Sequence, residues 1–114
     1  MSTKAAHQQI RVADVVRNRA LSLTASVYDV AVADIVRPTR QSTRASTARH
    51  VSIYLAHIVL NVLSLADLGE LFGRTKSTAS YAVRRVEEMR EDPKADQTIA
   101  WLESVLRTAM EDAR

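Results

Sequence analysis

Apolar residues recur at helical spacing along most of the chain. Between residues 8 and 28 they stand three or four apart, which predicts one long amphipathic helix. The side chains predicted to face inward from it are Val12, Val15, Val16, Ala20, Leu23 and Val27. A short second helix is predicted over 30–36, ending at Arg37 because the residue before a proline is disfavoured in the helical region. Residues 37–46, rich in Ser, Thr and Arg, are predicted to form a loop.

The middle of the chain predicts a deeply buried helix. Ser46 or Thr47 is expected to cap it, and its broad apolar stripe makes it the most buried helix. The stripe consists of Val51, Tyr54, Leu55, Ile58, Val59 and Val62.

Two further helices follow, joined by a tight turn. Ser64 followed by Asp67 fits a capping box, which predicts a brief helix that stops at Gly73. After the GRTK turn, helical periodicity resumes from Ser77 to about residue 91, with Ala79, Ala82, Val83, Val86 and Met89 as its apolar positions.

The last helix is predicted to begin at Asp92-Pro93, since proline is tolerated at the first helical position. Its inward positions are Ile99, Leu102, Val105, Leu106 and Ala109, with Trp101 expected to pack. The patterns together predict an all-α fold of five or six helices. We expect a short tail at 1–9 and one domain at 10–112, because 114 residues suffice for one ordinary domain.

Composition argues against several classes of function. Cysteine is absent, and no glycine-rich phosphate loop, paired acid and base, or nucleophile motif stands out, so we expect neither an enzyme nor a cofactor. His7, His50 and His57 have no acid close to them, which argues against a metal site. No apolar run approaches the roughly 20 residues of a spanning helix, so we expect a soluble, cytoplasmic protein with no membrane partner.

The positive charge is unevenly distributed. Residues 1–63 contain eight Lys or Arg against three Asp or Glu, whereas 64–114 contain eight against ten. Within 37–50 stand four arginines and no acid. Such a segment suits phosphates or a narrow minor groove, and its alternative is a solvated flexible loop.

Residues 64–91 fit a helix-turn-helix, in which the second helix enters the major groove of DNA. The side chains left outside are Lys76, Ser77, Thr78, Ser80, Tyr81 and Arg84. The alternative is an ordinary helical hairpin with a polar outer face.

Several segments in order resemble one family. They are YDVAVADIV (28–36), ARHVSIYLAH (48–57), LSLADLGELFGR (63–74), ST (77–78) and RRVEEMRED (84–92), together with the arginine-bearing loop between the first two. From about residue 10 to 106 the chain resembles domain IV, the C-terminal DNA-binding domain of the bacterial replication initiator DnaA. The resemblance implies a TrpR-like all-α fold containing a helix-turn-helix, and a monomer that binds double-stranded DNA at DnaA boxes.

The resemblance also implies roles for individual residues. Arg74, Ser77 and Thr78 match the Arg and two threonines of the family's Gly-Gly-Arg-Asp-His-Thr-Thr signature, while Thr75 and Lys76 replace its Asp and His. The expected major-groove contacts are Lys76, Ser77, Thr78 and Tyr81, and Arg74 and Thr75 are further expected DNA-binding residues. Arg49 matches a family arginine that leads into the long helix, and His57 falls where a phosphate-contacting Lys or Arg usually lies. Arg40 and Arg44 are the candidates for the minor groove, and all four are expected to hold the backbone or the minor groove. Since an Asp that could accept from cytosine is missing, we expect a shift from base recognition toward phosphate binding.

Two functional hypotheses follow from this resemblance. Only a few residues precede the first helix, so we expect a stand-alone, nucleoid-associated domain without the initiator's AAA+ motor. In the first hypothesis it occupies box-like sites and competes with the full initiator, regulating replication initiation or transcription. In the alternative, motivated by the altered signature and the acidic C-terminal third, it binds DnaA or its regulatory inactivation machinery.

Overall fold

The computed structural model describes residues 3–37 and 42–112, with side chains from Val12 onward. The described residues form six helices and no strand. The helices are α1 (Thr3–Tyr28), α2 (Val32–Val36), α3 (Thr43–Leu60), α4 (Leu65–Leu71), α5 (Lys76–Met89) and α6 (Pro93–Asp112). This confirms the prediction of an all-α fold. Helix α1 begins at Thr3, five residues before the predicted start, and the domain boundary at residue 10 stays a prediction.

Helix α3 lies at the centre of the fold and packs against each of the other five helices. Every residue from 51 to 56 is buried, which confirms that it is the most buried helix. Its start was predicted wrongly. The hydroxyl of Ser42 accepts from the Ala45 N–H at 3.2 Å, so the helix begins at Thr43 and residues 43–46 are helical rather than part of a loop.

The buried face of α1 differs from the predicted one. Val16 and Ala20 are buried as expected, but three predicted inward residues are at least 38% exposed: Val12, Val15 and Val27. Ala13 and Thr24 take their place, and the Thr24 hydroxyl shares a buried hydrogen bond of 2.7 Å with Ser52 on α3. Small side chains, and the Thr24 hydroxyl with its hydrogen bond to Ser52, permit close packing of α1 on α3. Larger valines at these positions would hold the two helices apart.

Two large apolar side chains expected to pack are exposed. Val62 is 80% exposed because α3 ends at Leu60, where Asn61 adopts φ 56° and donates its N–H to the carbonyl of His57. Trp101 is 55% exposed on the outer face of α6. The buried positions of α6 are Ile99, Leu102 and Leu106, as predicted.

The end of α5 is joined to α6 by one side chain. The Arg90 guanidinium donates to the Asp96 carboxylate at 2.5 Å and to the Tyr54 hydroxyl at 3.1 Å. The hydrogen bond to Asp96 is the main reason why the pKa of Arg90 is raised. Asp92 caps α6 by accepting from the Ala95 N–H at 3.0 Å, with Pro93 in the first helical position as predicted. Across the described residues, every helix is too short or too polar to cross a bilayer.

Candidate nucleic-acid interface

A short helix, a tight turn and a longer helix form the predicted helix-turn-helix. The hydroxyl of Ser64 accepts from the Asp67 N–H at 3.0 Å, so Ser64 caps α4 as expected. Gly73 ends the helix with φ 67°, a left-handed conformation that glycine adopts without the steric cost of a side chain. Helix α5 then begins at Lys76, one residue before the predicted start.

Gly69 allows the two helices of this motif to approach closely. A Cβ atom on Gly69 would lie 2.5 Å from the carbonyl oxygen of Thr75, in the turn before α5. The backbone N–H of Arg74 also donates to the Gly69 carbonyl at 2.7 Å. Sequence reasoning did not identify Gly69, although a glycine inside a helical pattern is itself a signal of close backbone approach.

Helix α5 presents two different faces. Ala79, Ala82 and Val86 are buried, as predicted, and α5 packs through them against α3 and α4. The opposite face contains exposed Lys76, Ser77, Tyr81 and Arg84, with Thr78 and Ser80 partly buried. The N-terminal turn of α5, the part of a recognition helix that reaches base edges, is therefore open to a ligand.

The hydroxyls of Thr75 and Thr78 are joined at the start of α5. The Thr75 hydroxyl oxygen accepts from the Thr78 N–H at 3.2 Å, which makes Thr75 the N-cap of the helix. The same hydroxyl donates to the Thr78 hydroxyl oxygen at 3.1 Å. The Thr75 hydroxyl is thus both an acceptor and a donor of hydrogen bonds within the protein. The expected contact of Thr75 with DNA stays a prediction.

Two arginines converge on the end of α2. Arg49 on α3 donates to the carbonyls of Ile35 at 2.7 Å and Arg37 at 3.3 Å. Arg74, from the turn of the helix-turn-helix, donates to the same Arg37 carbonyl at 2.8 Å and to that of Val36 at 3.4 Å. Burial, and then the charge of Arg74, lower the pKa of Arg49. We refer to Arg49 and Arg74, together with the Arg37 carbonyl that both bind, as the arginine cluster. Its two guanidinium groups place positive charge near the turn before α5.

His50 and Tyr81 connect α3 to the outer face of α5. Their ring centroids are 5.4 Å apart in an edge-on arrangement, and the Arg84 guanidinium carbon lies 6.0 Å from the Tyr81 centroid. Burial lowers the pKa of His50, and the charges of Arg49 and Arg85 lower it further. The contact between His50 and Tyr81 could not be read from the sequence, because the two residues are 31 positions apart.

The remaining sequence-predicted site residues are not all brought together. Arg44 lies in the first turn of α3, where its guanidinium is 3.4 Å from the Asp29 carboxylate and 3.3 Å from the Asp29 carbonyl. Arg40 lies outside the described residues. His57 is two turns from His50, about 10 Å further along α3, and its Nδ1 is buried without a hydrogen-bond partner. The backbone and minor-groove roles of these three residues stay predictions.

The geometry defines a class of protein. A short helix, a tight turn and an exposed second helix beside a cluster of arginines are the parts of a helix-turn-helix DNA-binding domain. Within the described residues, His, Asp and Glu side chains do not gather into a group of three that could hold a metal ion.

Comparison with known proteins identifies the family. A family model described as the bacterial DnaA protein helix-turn-helix matches residues 18–86, more than half of the chain. The chain therefore belongs to the bacterial DnaA helix-turn-helix family, a DNA-binding domain that is not itself catalytic. The matched residues run from the middle of α1 to the last turns of α5 and include the arginine cluster.

Two relatives are chromosomal replication initiator proteins DnaA. They come from Tropheryma whipplei strains Twist and TW08/27, and each is 38% identical to this chain over 69 residues. The match covers 60% of this chain but only 14% of each relative's length. It supports the predicted resemblance to DnaA domain IV in a replication-initiator context.

Proposed function

We propose that this domain binds double-stranded DNA at sites resembling the DnaA box, with α5 in the major groove. The observation on which the proposal rests is the open first turn of α5 beside the arginine cluster. Lys76, Ser77, Thr78 and Tyr81 approach base edges in this arrangement. The predicted backbone and minor-groove contacts are Arg40, Arg44, Arg49 and His57.

The charge of this face supports binding to a polyanion. The seven ion pairs among the described residues include neither Lys76 nor Arg84, so both cations are available to phosphates. Arg49 and Arg74 already donate to backbone carbonyls, and a guanidinium has five N–H donors, so donors remain for a phosphate. Binding through such contacts releases counterions and weakens steeply with salt.

A salt series with matched variants tests this proposal. Removing a side chain that neutralises one phosphate should reduce the slope of log affinity against log salt by about 0.9. Lys76→Ala and Arg84→Ala should each weaken binding and flatten the slope. Arg107→Ala is the control, because Arg107 lies on α6 and donates to Glu103 at 2.9 Å and to the Ile58 carbonyl at 3.2 Å. Equal slopes for the wild type and all three variants would contradict the proposed interface.

The proposed biological role is regulation of initiation or transcription by occupancy. A domain bound to a box excludes the initiator from the same box, and this requires no catalysis. It also implies a cytoplasmic, nucleoid-associated protein. Adding the purified domain to a labelled box duplex saturated with initiator should displace the initiator in proportion to box occupancy. A ternary complex with no displacement would contradict competition.

An interaction with the initiator itself is a second candidate function. It is favoured by the exposed Val12 and Val15 on α1 and Trp101 on α6, apolar side chains on helices other than α5. Because Trp101 is the one tryptophan of the sequence, the fluorescence of this domain reports on the surroundings of Trp101 on α6. Purified initiator, or its regulatory inactivator, should change the emission without DNA present. An unchanged spectrum at micromolar partner would exclude this function.

A further inference from the structure

The first turn of α5 contains a hydrogen-bond chain with a defined direction. The Thr78 N–H donates to the Thr75 hydroxyl oxygen, and the Thr75 hydroxyl donates in turn to the Thr78 hydroxyl oxygen. Each hydroxyl has a single hydrogen, and that of Thr75 is committed. The hydrogen of the Thr78 hydroxyl is therefore free to point away from Thr75.

We propose that Thr75 is a positioning residue for base recognition, because its hydroxyl donates to the Thr78 hydroxyl and so leaves the Thr78 hydrogen available as a donor toward DNA. The inference rests on the proposed function and extends it to the chemistry that α5 selects. A fixed donor at residue 78 favours acceptors in the major groove, namely purine N7, guanine O6 and thymine O4.

The neighbouring groups reinforce this selection. The Lys76 ammonium is exposed and can only donate, and the backbone N–H groups of Lys76 and Ser77 lack helical partners because they belong to the first turn. The first turn of α5 contains no acidic residue, so it lacks a carboxylate acceptor. The preference of the domain for acceptors thus depends on Thr75, which acts through the Thr78 hydroxyl.

Substitutions at residue 75 separate positioning from capping. Serine retains both the cap and the donated hydrogen bond. Aspartate retains the cap, since it is as good an N-cap as threonine. However, an aspartate carboxylate cannot donate, so the Thr78 hydroxyl would donate to it and turn a lone pair outward. A purely structural role predicts that Thr75→Ser behaves like the wild type. It also predicts that any preference gained by Thr75→Asp comes from direct contact of the new carboxylate with a cytosine amino group. Such a preference would persist after Thr78→Val, and its persistence would overturn the inference.

The experiment measures the affinity of each variant for a duplex that contains the initiator's box, and for a set of duplexes that each differ from it by one base pair. Thr75→Ser should retain the wild-type pattern of preference. Thr75→Asp should retain the melting temperature. At one base-pair position it should lose the wild-type preference of about tenfold for an acceptor, and its binding should shift toward bases that present an amino group.

A double-mutant cycle with Thr78→Val controls for the added negative charge. Valine has the shape of threonine without the hydroxyl, so Thr75→Asp in this background should weaken binding to all duplexes equally. The inference is overturned if Thr75→Asp alone also weakens all duplexes equally and leaves the pattern of preference intact. Failure of the wild type to prefer the box over scrambled DNA would instead overturn the proposed function, and this inference with it.

Discussion

Replacing Gly69 with alanine tests the close approach of α4 to the turn before α5. The new Cβ would lie 2.5 Å from the Thr75 carbonyl oxygen and 2.7 Å from its carbon, whereas ordinary contacts begin at 3.4 Å. Both obstructing atoms belong to the backbone, so a side-chain rotation cannot relieve the contact. The turn must move by roughly 1 Å to restore normal separation, and the start of α5 moves with it.

Two opposing effects set the magnitude. Alanine is favoured over glycine inside a helix by about 0.8–1.0 kcal/mol, whereas overpacking costs about 1–3 kcal/mol. The net expectation is a loss of roughly 1 kcal/mol, which lowers the melting temperature by about 4 °C or more. Displacement of the first turn of α5 should also weaken binding to a box duplex by about tenfold or more, since a good base contact is worth about 1–3 kcal/mol.

Circular dichroism melts and fluorescence anisotropy with a box duplex measure the two effects. Ala100→Gly is the control, because Ala100 is exposed on α6 and its replacement removes only helix propensity, about 1 kcal/mol. It should melt earlier yet bind DNA like the wild type at temperatures well below melting. A Gly69→Ala variant that is more stable than the wild type and binds the box equally well would refute the reasoning, since propensity would then be the only effect.

Three further predictions concern stability. Gly73→Ala should lower the free energy of unfolding, measured by chemical denaturation, by about 1–2 kcal/mol, because φ of Gly73 is 67°. Gly73→Asn should lower it less. Equal stabilities of the wild type and the two variants would contradict this. Because the pKa of His50 is lowered in the folded state, the folded protein takes up this proton at lower pH than the unfolded chain, which does so near pH 6.5. The free energy of unfolding should therefore be fully present above about pH 6.5 and fall below it, less steeply in His50→Gln, and parallel curves would refute this. Arg90→Ala should lower the free energy of unfolding by about 1–3 kcal/mol, because it removes the hydrogen bonds to Asp96 and Tyr54. The control Arg85→Ala should lower it by under about 0.5 kcal/mol, because its exposed partner Glu88 is 3.9 Å away. Similar losses for the two variants would contradict the structure.

Local signals in the sequence predicted much of the fold. The caps at Ser64 and Asp92, the stop at Gly73 and the proline at residue 93 each act within one helical turn, so they can be read without tertiary structure. The inward face of α1 could not be read in this way. Adjacent apolar residues such as Val15 and Val16 permit two faces, and close packing on α3 decides between them.

The candidate site was predictable only where the residues that interact are also close together in the sequence. The helix-turn-helix and the exposed first turn of α5 follow from caps and periodicity. The Arg74 bond to the Arg37 carbonyl joins residues 37 apart, and the His50–Tyr81 contact depends on how α3 crosses α5. Thr75 shows a further limit. Its residue type fits either a DNA contact or a cap, and only the structure shows the cap.

The most direct test of the central claim is anisotropy of a labelled duplex with the initiator's box, against a scrambled duplex, across a salt series. The account predicts a preference for the box of at least tenfold, about 1.4 kcal/mol, that persists near physiological salt. Equal affinities for the two duplexes that decline together with salt, or no binding to either, would contradict it.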